Sequence, residues 1–187
     1  MTESEVLEIF RETGALLEGH FLLRSGLHSS RYFQCAQVLQ WPQHAERLCR
    51  ALAERCAAGA QAVISPAMGG LFVGHEVARA RRVRHIFVEK NPTGALELRR
   101  NFSIGRGERF LVVEDVVTRG GRVLETMQIV RAHGGEVVGV GALVDRSGGT
   151  VDFQVPFGYL LRLQVETFDA EQCPLCRKGV PLVKPGS

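Results

Sequence analysis

The chain has 187 residues, 45% of them hydrophobic and 23% charged, with a formal net charge of +3. These proportions suit a soluble globular domain, and so small and dispersed a positive surplus does not make a nucleic-acid surface. No uncharged apolar run approaches the ~18 residues that a membrane span needs. The acidic, amphipathic start MTESEVLEIF is unlike a secretory signal. Five cysteines are an odd number in a chain too large to need stapling, so reduced thiols and a cytoplasmic location are expected.

In chain order, Ser4 is placed to cap a first helix, whose stripe of Val6, Leu7, Ile9 and Phe10 runs up to Gly14. Residues 19–34 read as two short extended pieces around a Ser-Gly turn. Pro42 opens a strong helix that Gly59 ends, with Trp41 as a packing residue at its start and Cys49 and Cys56 on its buried face. From Gln61 the pattern alternates. The strand AVIS leads through a Gly-rich turn to the helix LFVGHEVARAR, and the strand HIFVEK is followed by a polar excursion. Then come the strand RFLVVED, a turn, the helix GRVLETMQIVRAHGG and the strand EVVGVGALVD. One or two further strands are expected in VDFQVPFGYLLRLQVETFD. Short, nearly continuous apolar strands separated by helices imply a parallel sheet covered on both faces.

The stretch LVVEDVVTRGGRV, residues 111–123, carries the chemistry. In a doubly wound α/β sheet, ligands gather at the carboxyl ends of strands, where loops enter helices. Glu114 and Asp115 lie at the end of an apolar strand, and residues 118–122 lead into the next helix, whose free backbone N–H groups and dipole favour phosphate. Gly120 and Gly121 let the backbone wrap an anion. The spacing is neither GxxxxGK[ST] nor GxGxxG. A phosphate cradle beside two carboxylates suits a sugar phosphate whose hydroxyls the acids bind.

This run of apolar residues, two acids, two apolar residues and a Thr/Gly-rich turn resembles the 5-phosphoribosyl 1-diphosphate (PRPP) motif of type I phosphoribosyltransferases. Other stretches narrow the resemblance to the orotate phosphoribosyltransferase family. GHFLLRSGLHSSRYF (19–33) is similar to that family's N-terminal segment, and SPAMGG (65–70) to its pyrophosphate-binding turn. VDRSGG (144–149) places Arg146 as the family does, and CPLCRKGVPLVKPGS (173–187) is similar to the tail of one bacterial branch.

The resemblance implies an α/β chain of the type I phosphoribosyltransferase fold, a central, mostly parallel sheet flanked by helices. It implies one domain over 1–187, a small hood from 15–40 with part of the C-terminal region, and a flexible catalytic loop at about 91–105. The implied reaction is transfer of the 5-phosphoribosyl group from PRPP to N1 of orotate, in pyrimidine biosynthesis, with Mg²⁺ held mainly through PRPP and water and no direct protein ligand. Glu114 and Asp115 would bind the ribose hydroxyls and stabilise an oxocarbenium-like centre, with Lys90, Arg99 and Arg100 as further catalytic groups. Arg24, the Ala67–Met68–Gly69 backbone and the turn Val116, Val117, Thr118, Arg119, Gly120, Gly121 and Arg122 would hold PRPP, and the 67–69 turn could carry a strained peptide. Tyr32, Phe33, Thr118 and Arg146 would meet orotate, Arg146 gripping its carboxylate. A homodimer is implied, with loop 91–105 reaching the partner's site.

Some positions depart from the family's pattern. The strand end reads Glu89–Lys90 where Arg-Lys is common, the loop has no histidine, Gly69 stands where lysine is frequent, and position 24 is arginine instead of lysine. The cradle reads TRGGR instead of TTGGS, so Arg122 either binds the phosphate from outside or points into solvent. Two other functions are compatible with the PRPP motif: a purine-type phosphoribosyltransferase, and a PRPP-binding regulator without catalysis. Cys173-x-x-Cys176 is half of a zinc site with no second half nearby, so free thiols are expected, with a structural zinc shared between chains as the alternative. His20, His28, His44, His75, His85 and His133 show no metal-ligand spacing.

Overall fold

The computed structural model describes residues 1–23, 25–163 and 166–185. Helix α1 (Glu3–Glu12) opens the chain, and Thr2, not Ser4, is its cap. The Thr2 side chain accepts from the Glu5 N–H while the Glu5 carboxylate accepts from the Thr2 N–H. This reciprocal box needs Glu three residues after the cap, and Thr2 is the residue that has it. Strands β1 (Leu16–Leu22) and β2 (His28–Phe33) then form an antiparallel hairpin, followed by a short helix α2 (Cys35–Leu39). Helix α3 (Pro42–Arg55) buries Cys49 and Cys56 as expected, but Trp41 at its start is 47% exposed and packs little.

The alternating half builds the main sheet. Its elements are β3 (Ala62–Pro66), α4 (Gly69–Arg81), β4 (Arg84–Lys90), β5 (Leu96–Leu98), β6 (Arg109–Val117), α5 (Gly121–Ala132), β7 (Glu136–Asp145) and β8 (Phe157–Arg162). The strand order is β5-β4-β3-β6-β7-β8, with only β5 antiparallel to its neighbour. Alternate side chains serve opposite faces. Val63, Leu111, Val113, Leu143 and Leu160 pack under α1, α3 and α4, while Ala62, Ile64, Phe110, Val112 and Val140 pack with α5 and Phe153. Both faces are covered, which is why the strands read as unbroken apolar runs. The last expected strands split between two sheets: β8 joins the main one, and β9 (Thr167–Phe168) pairs with β2 to give a separate sheet β1-β2-β9. A short helix α6 (Pro174–Arg177) follows.

Two crossovers leave in opposite directions, β3 to β4 through α4 and β6 to β7 through α5, so the β3/β6 boundary is the switch point where such sheets bind ligands. Strand β6 runs two residues beyond the expected RFLVVED, to Val117. It stays paired with β7 as far as Val117–Asp145 but leaves β3 after Ile64–Val112. The sheet therefore forks, and Glu114 and Asp115 stand at the fork.

Candidate active site

Glu114 is 9% exposed, its Oε1 accepting from the Asp115 N–H at 3.1 Å, and Asp115 Oδ1 accepts from the Val116 N–H at 2.8 Å. Burial pushes the Glu114 carboxyl up to about 9, reinforced by the neighbouring Asp115 charge, and burial likewise raises Asp115. Two adjacent acids held this way are primed to receive positive charge.

The turn 67–70 lies directly against them. A Cβ on Gly69 would sit 2.8 Å from Asp115 Oδ1, and one on Gly70 3.0 Å from Glu114 Oε1. Glycine is therefore a condition of the contact between turn and acids, which accounts for Gly69 in physical terms. The Ala67–Met68 peptide is cis, and Met68 is 77% exposed. Beyond the acids, Thr118, Gly120, Gly121 and Arg122 curve around a cleft of about 400 Å³ that Glu114, Val116 and Val117 also line. Gly120 has φ +72°, and its Cβ would meet Val151 at 2.8 Å, so the turn into α5 can be made by glycine alone. The first residues of α5 line this cleft, and no side chain caps the helix start, which leaves its free backbone N–H groups available to an anion.

Arg122 is engaged by the chain itself. Its guanidinium donates to the Gly94 carbonyl at 3.1 Å and to Glu125 at 2.8 Å, while Glu125 also accepts from the Leu96 N–H at 2.6 Å. Arg122 and Glu125 thus tie the start of α5 to the excursion after β4. Glu125 escaped the sequence reading because it looks like an ordinary exposed helix acid. Residues 91–105 themselves are partly ordered as a hairpin: β5 pairs with β4, and Arg99 and Arg100 reach Glu89 at 3.4 and 3.1 Å. In this arrangement both arginines are engaged by Glu89 and not by the acid pair, while Lys90 is exposed at the end of β4. Arg24 lies outside the described residues, and Thr118 and Arg119 are exposed.

A third group of side chains gathers where β2 approaches the end of β7. The Arg146 guanidinium lies 5.9 Å from the Phe33 ring centroid, and the Arg146 backbone N–H donates to the Val117 carbonyl. Its Nε is buried with no hydrogen-bond partner among the described residues. Burial lowers its pKa, opposed by Cys35 and Tyr32 nearby. Asp145, fully buried, sets this corner by accepting from the Ser147 N–H and hydroxyl and from Arg162 at 2.7 Å. Burial alone would raise the Asp145 carboxyl, but these donors outweigh it and hold the pKa below the usual range.

The terminal thiols are free, as expected, but they are not isolated from the histidines. The fold brings His20, His28, Cys173 and Cys176 together, their ligand atoms all within 4.8 Å of one another. The hairpin crossing puts His20 beside His28, a relation that sequence spacing conceals.

A family model described as "Phosphoribosyl transferase domain" matches residues 34–156. A protein of Desulforamulus reducens named orotate phosphoribosyltransferase is 55% identical over 188 residues, covering 100% of this chain and 98% of the relative. The chain belongs to the orotate phosphoribosyltransferase family. Another member, from Pelotomaculum thermopropionicum, is 56% identical with the same coverage. Among solved structures, orotate phosphoribosyltransferase from Aeropyrum pernix matches with a TM-score of 0.69 at 25% identity, covering 85% of this chain and 94% of that one. Adenine phosphoribosyltransferase from Thermoanaerobacter pseudethanolicus, at 17% identity and TM-score 0.61 over 71% of this chain and 88% of its own, shares the fold. The fold is that of the type I phosphoribosyltransferases. No helix among the described residues is long and apolar enough to cross a membrane.

Proposed function

We infer that the chain transfers the 5-phosphoribosyl group from PRPP to N1 of orotate, releasing pyrophosphate and orotidine 5′-monophosphate. The observation that carries the choice of base is Arg146, a half-buried guanidinium beside Phe33 whose buried Nε has no partner among the described residues. A buried donor left unpaired is costly. A planar carboxylate on a flat ring satisfies it and stacks on Phe33 and Tyr32 at once, and a purine offers no such group.

In this reading the 5-phosphate sits on the N–H groups of 118–121 at the start of α5, and the ribose hydroxyls lie against Glu114 and Asp115. Loss of pyrophosphate leaves positive charge on the sugar, and the acid pair, reluctant to ionise alone, is stabilised by that charge as it develops. The 67–70 turn, packed on the same acids, offers backbone groups to the pyrophosphate. Mg²⁺ would neutralise leaving-group charge when bound with PRPP; the hard carboxylate oxygens of Glu114 and Asp115 suit its hydrated shell.

The loop 91–105 acts as the closing element in this proposal. Its ion pairs to Glu89 are largely solvent-exposed on the arginine side and are worth little individually, so Arg99 and Arg100 can exchange Glu89 for pyrophosphate at small cost. Consecutive left-handed residues, Arg100 at φ +59° and Asn101 at +56°, mark the segment as held in a sparsely populated conformation. We further propose that 1–187 works as one domain with the β1-β2-β9 sheet as its hood, and that it does so in the cytoplasm as a homodimer whose loop serves the partner's site. Exposed Met68 and Phe72, next to the pyrophosphate turn, support a subunit contact there, and the five free cysteines support a reducing location.

The test offers purified protein PRPP and Mg²⁺ with orotate, adenine, hypoxanthine, xanthine or uracil and follows pyrophosphate release. Turnover with orotate alone is expected. Turnover with a purine alone overturns the assignment, and PRPP binding without turnover on any base marks a regulator.

A further inference from the structure

We propose that His20, His28, Cys173 and Cys176 bind one Zn²⁺ ion that fastens the C-terminal tail to the β1–β2 hairpin. Zinc bound through two imidazoles and two thiolates has Zn–N near 2.0–2.1 Å and Zn–S near 2.3 Å, so its tetrahedron holds neighbouring ligand atoms roughly 3.3–3.8 Å apart. Here Cys176 Sγ lies 3.3 Å from His28 Nδ1 and 3.8 Å from His20 Nε2, and Cys173 Sγ lies 3.5 Å from His20 Nε2. The two imidazole nitrogens are 2.9 Å apart and open slightly to admit the ion. Hydrogen bonding accounts for these contacts pair by pair, whereas a metal accounts for all four ligand atoms converging on one point.

The surroundings are those of a built site. His20 Nδ1 lies 2.8 Å from the Val180 carbonyl, so the proton resides on Nδ1 and the Nε2 lone pair is left facing the quartet. His20, His28 and Cys173 are buried, and Cys176 closes the outer side. Cys173 caps the short helix α6 that carries Cys176, the compact arrangement a C-x-x-C ligand pair requires. Two soft thiolates with two imidazoles select zinc over the hard cation that would accompany PRPP. On binding, both thiols release their protons to solvent, and a +2 ion with two thiolates is a neutral centre that tolerates burial.

The tail has little else to hold it. From Glu166 to Pro185, Cys173 is the one buried residue, and Leu182 and Val183 are about half exposed. Its other attachments are polar: β9 pairs with β2, the Ser29 hydroxyl donates to the Glu166 carbonyl, and Val183 donates to the His20 carbonyl and accepts from the Leu22 N–H. The hydrophobic effect cannot dock such a segment, and a cross-link can. What the ion secures is strand β2, which runs from His28 to the aromatic pair Tyr32 and Phe33, so the site positions the hood without touching substrate.

The experiment measures metal in tag-free protein prepared under reducing conditions, and in the C173S/C176S double variant. About one zinc per chain is expected in the first and less than roughly one-tenth in the second, as one four-coordinate site demands. Because the variant could fold poorly, cobalt(II) is also titrated into demetallated wild-type chain. Ligand-field bands of tetrahedral cobalt with thiolate charge transfer, saturating at one equivalent and reversed by zinc but not by magnesium, are expected. Absence of that spectrum overturns the site and leaves a hydrogen-bonded thiol–imidazole cluster. Metal retained undiminished in a folded double variant overturns it too. Neither readout depends on which base the enzyme uses.

Discussion

Glu114→Gln should make the unliganded protein more stable while impairing its chemistry, and the gain should depend on pH in a stated way. The folded chain holds the Glu114 proton to about 9, against an ordinary value of 4.5. A carboxyl raised on folding costs stability as pH rises from the unfolded value towards the folded one, because the unfolded chain gives up its proton first. At pH 7 this window spans about 2.5 pH units, which at ~1.4 kcal/mol per unit sets an upper limit of roughly 3.5 kcal/mol. Glutamine has the shape of the protonated acid, accepts from the Asp115 N–H in the same way, and carries no such cost. A gain of about 1–3 kcal/mol at pH 7 is expected, vanishing near pH 4.5, with kcat lowered on the order of 100-fold for lack of the charge that meets the sugar cation. Urea unfolding of both proteins at the two pH values measures it. Equal differences at both, or a destabilised variant at pH 7, would show that burial of this acid is not under strain.

Three further substitutions probe separate parts of the site. Arg146→Ala should raise the orotate KM by about 10- to 100-fold, the loss of a charged hydrogen bond worth ~1.5–3 kcal/mol, with the PRPP KM little changed; an unaltered orotate KM would remove Arg146 from base recognition. Gly120→Ala should cost about 1–3 kcal/mol in thermal or chemical unfolding, because it combines a left-handed backbone with a 2.8 Å approach to Val151, and wild-type stability would contradict that geometry. Arg122→Ala should alter the PRPP KM by no more than about threefold, since its partners are Gly94 and Glu125, whose exposed contacts are worth ~0.2–1 kcal/mol. A hundredfold rise would mean that Arg122 moves to the phosphate on binding.

The elements built from local pattern were readable in advance, and those built from long-range pairing were not. Strands β3, β6 and β7 announce themselves because both faces are buried, leaving unbroken apolar runs. The acid pair and glycine turn were equally visible, since few structural needs place Glu-Asp at a strand end. The cap of α1 was misassigned to Ser4, though the Thr2-x-x-Glu5 box was present in the sequence. Trp41 was expected to pack because large aromatics usually do, yet it stays at the surface. The histidine–cysteine quartet was only half legible: C-x-x-C is a sequence signal, whereas the partnership of His20 and His28 depends on the hairpin register. Arg122 could not be assigned because one of its partners, Gly94, belongs to a loop whose docking no local rule fixes.

The small sheet β1-β2-β9 stands apart from the six-stranded one. In the proposed reading, the ribose, both phosphoryl sites and the acid pair belong to the large sheet and its loops, while the aromatic wall for the base is borne by β2. The two jobs are thus mechanically separable. A lineage could exchange the lid, and with it the aromatic wall, while inheriting the sugar-activating machinery and Arg146 at the end of β7 intact. Substitutions in the hairpin should accordingly redirect choice of acceptor long before they disturb cleavage of the donor.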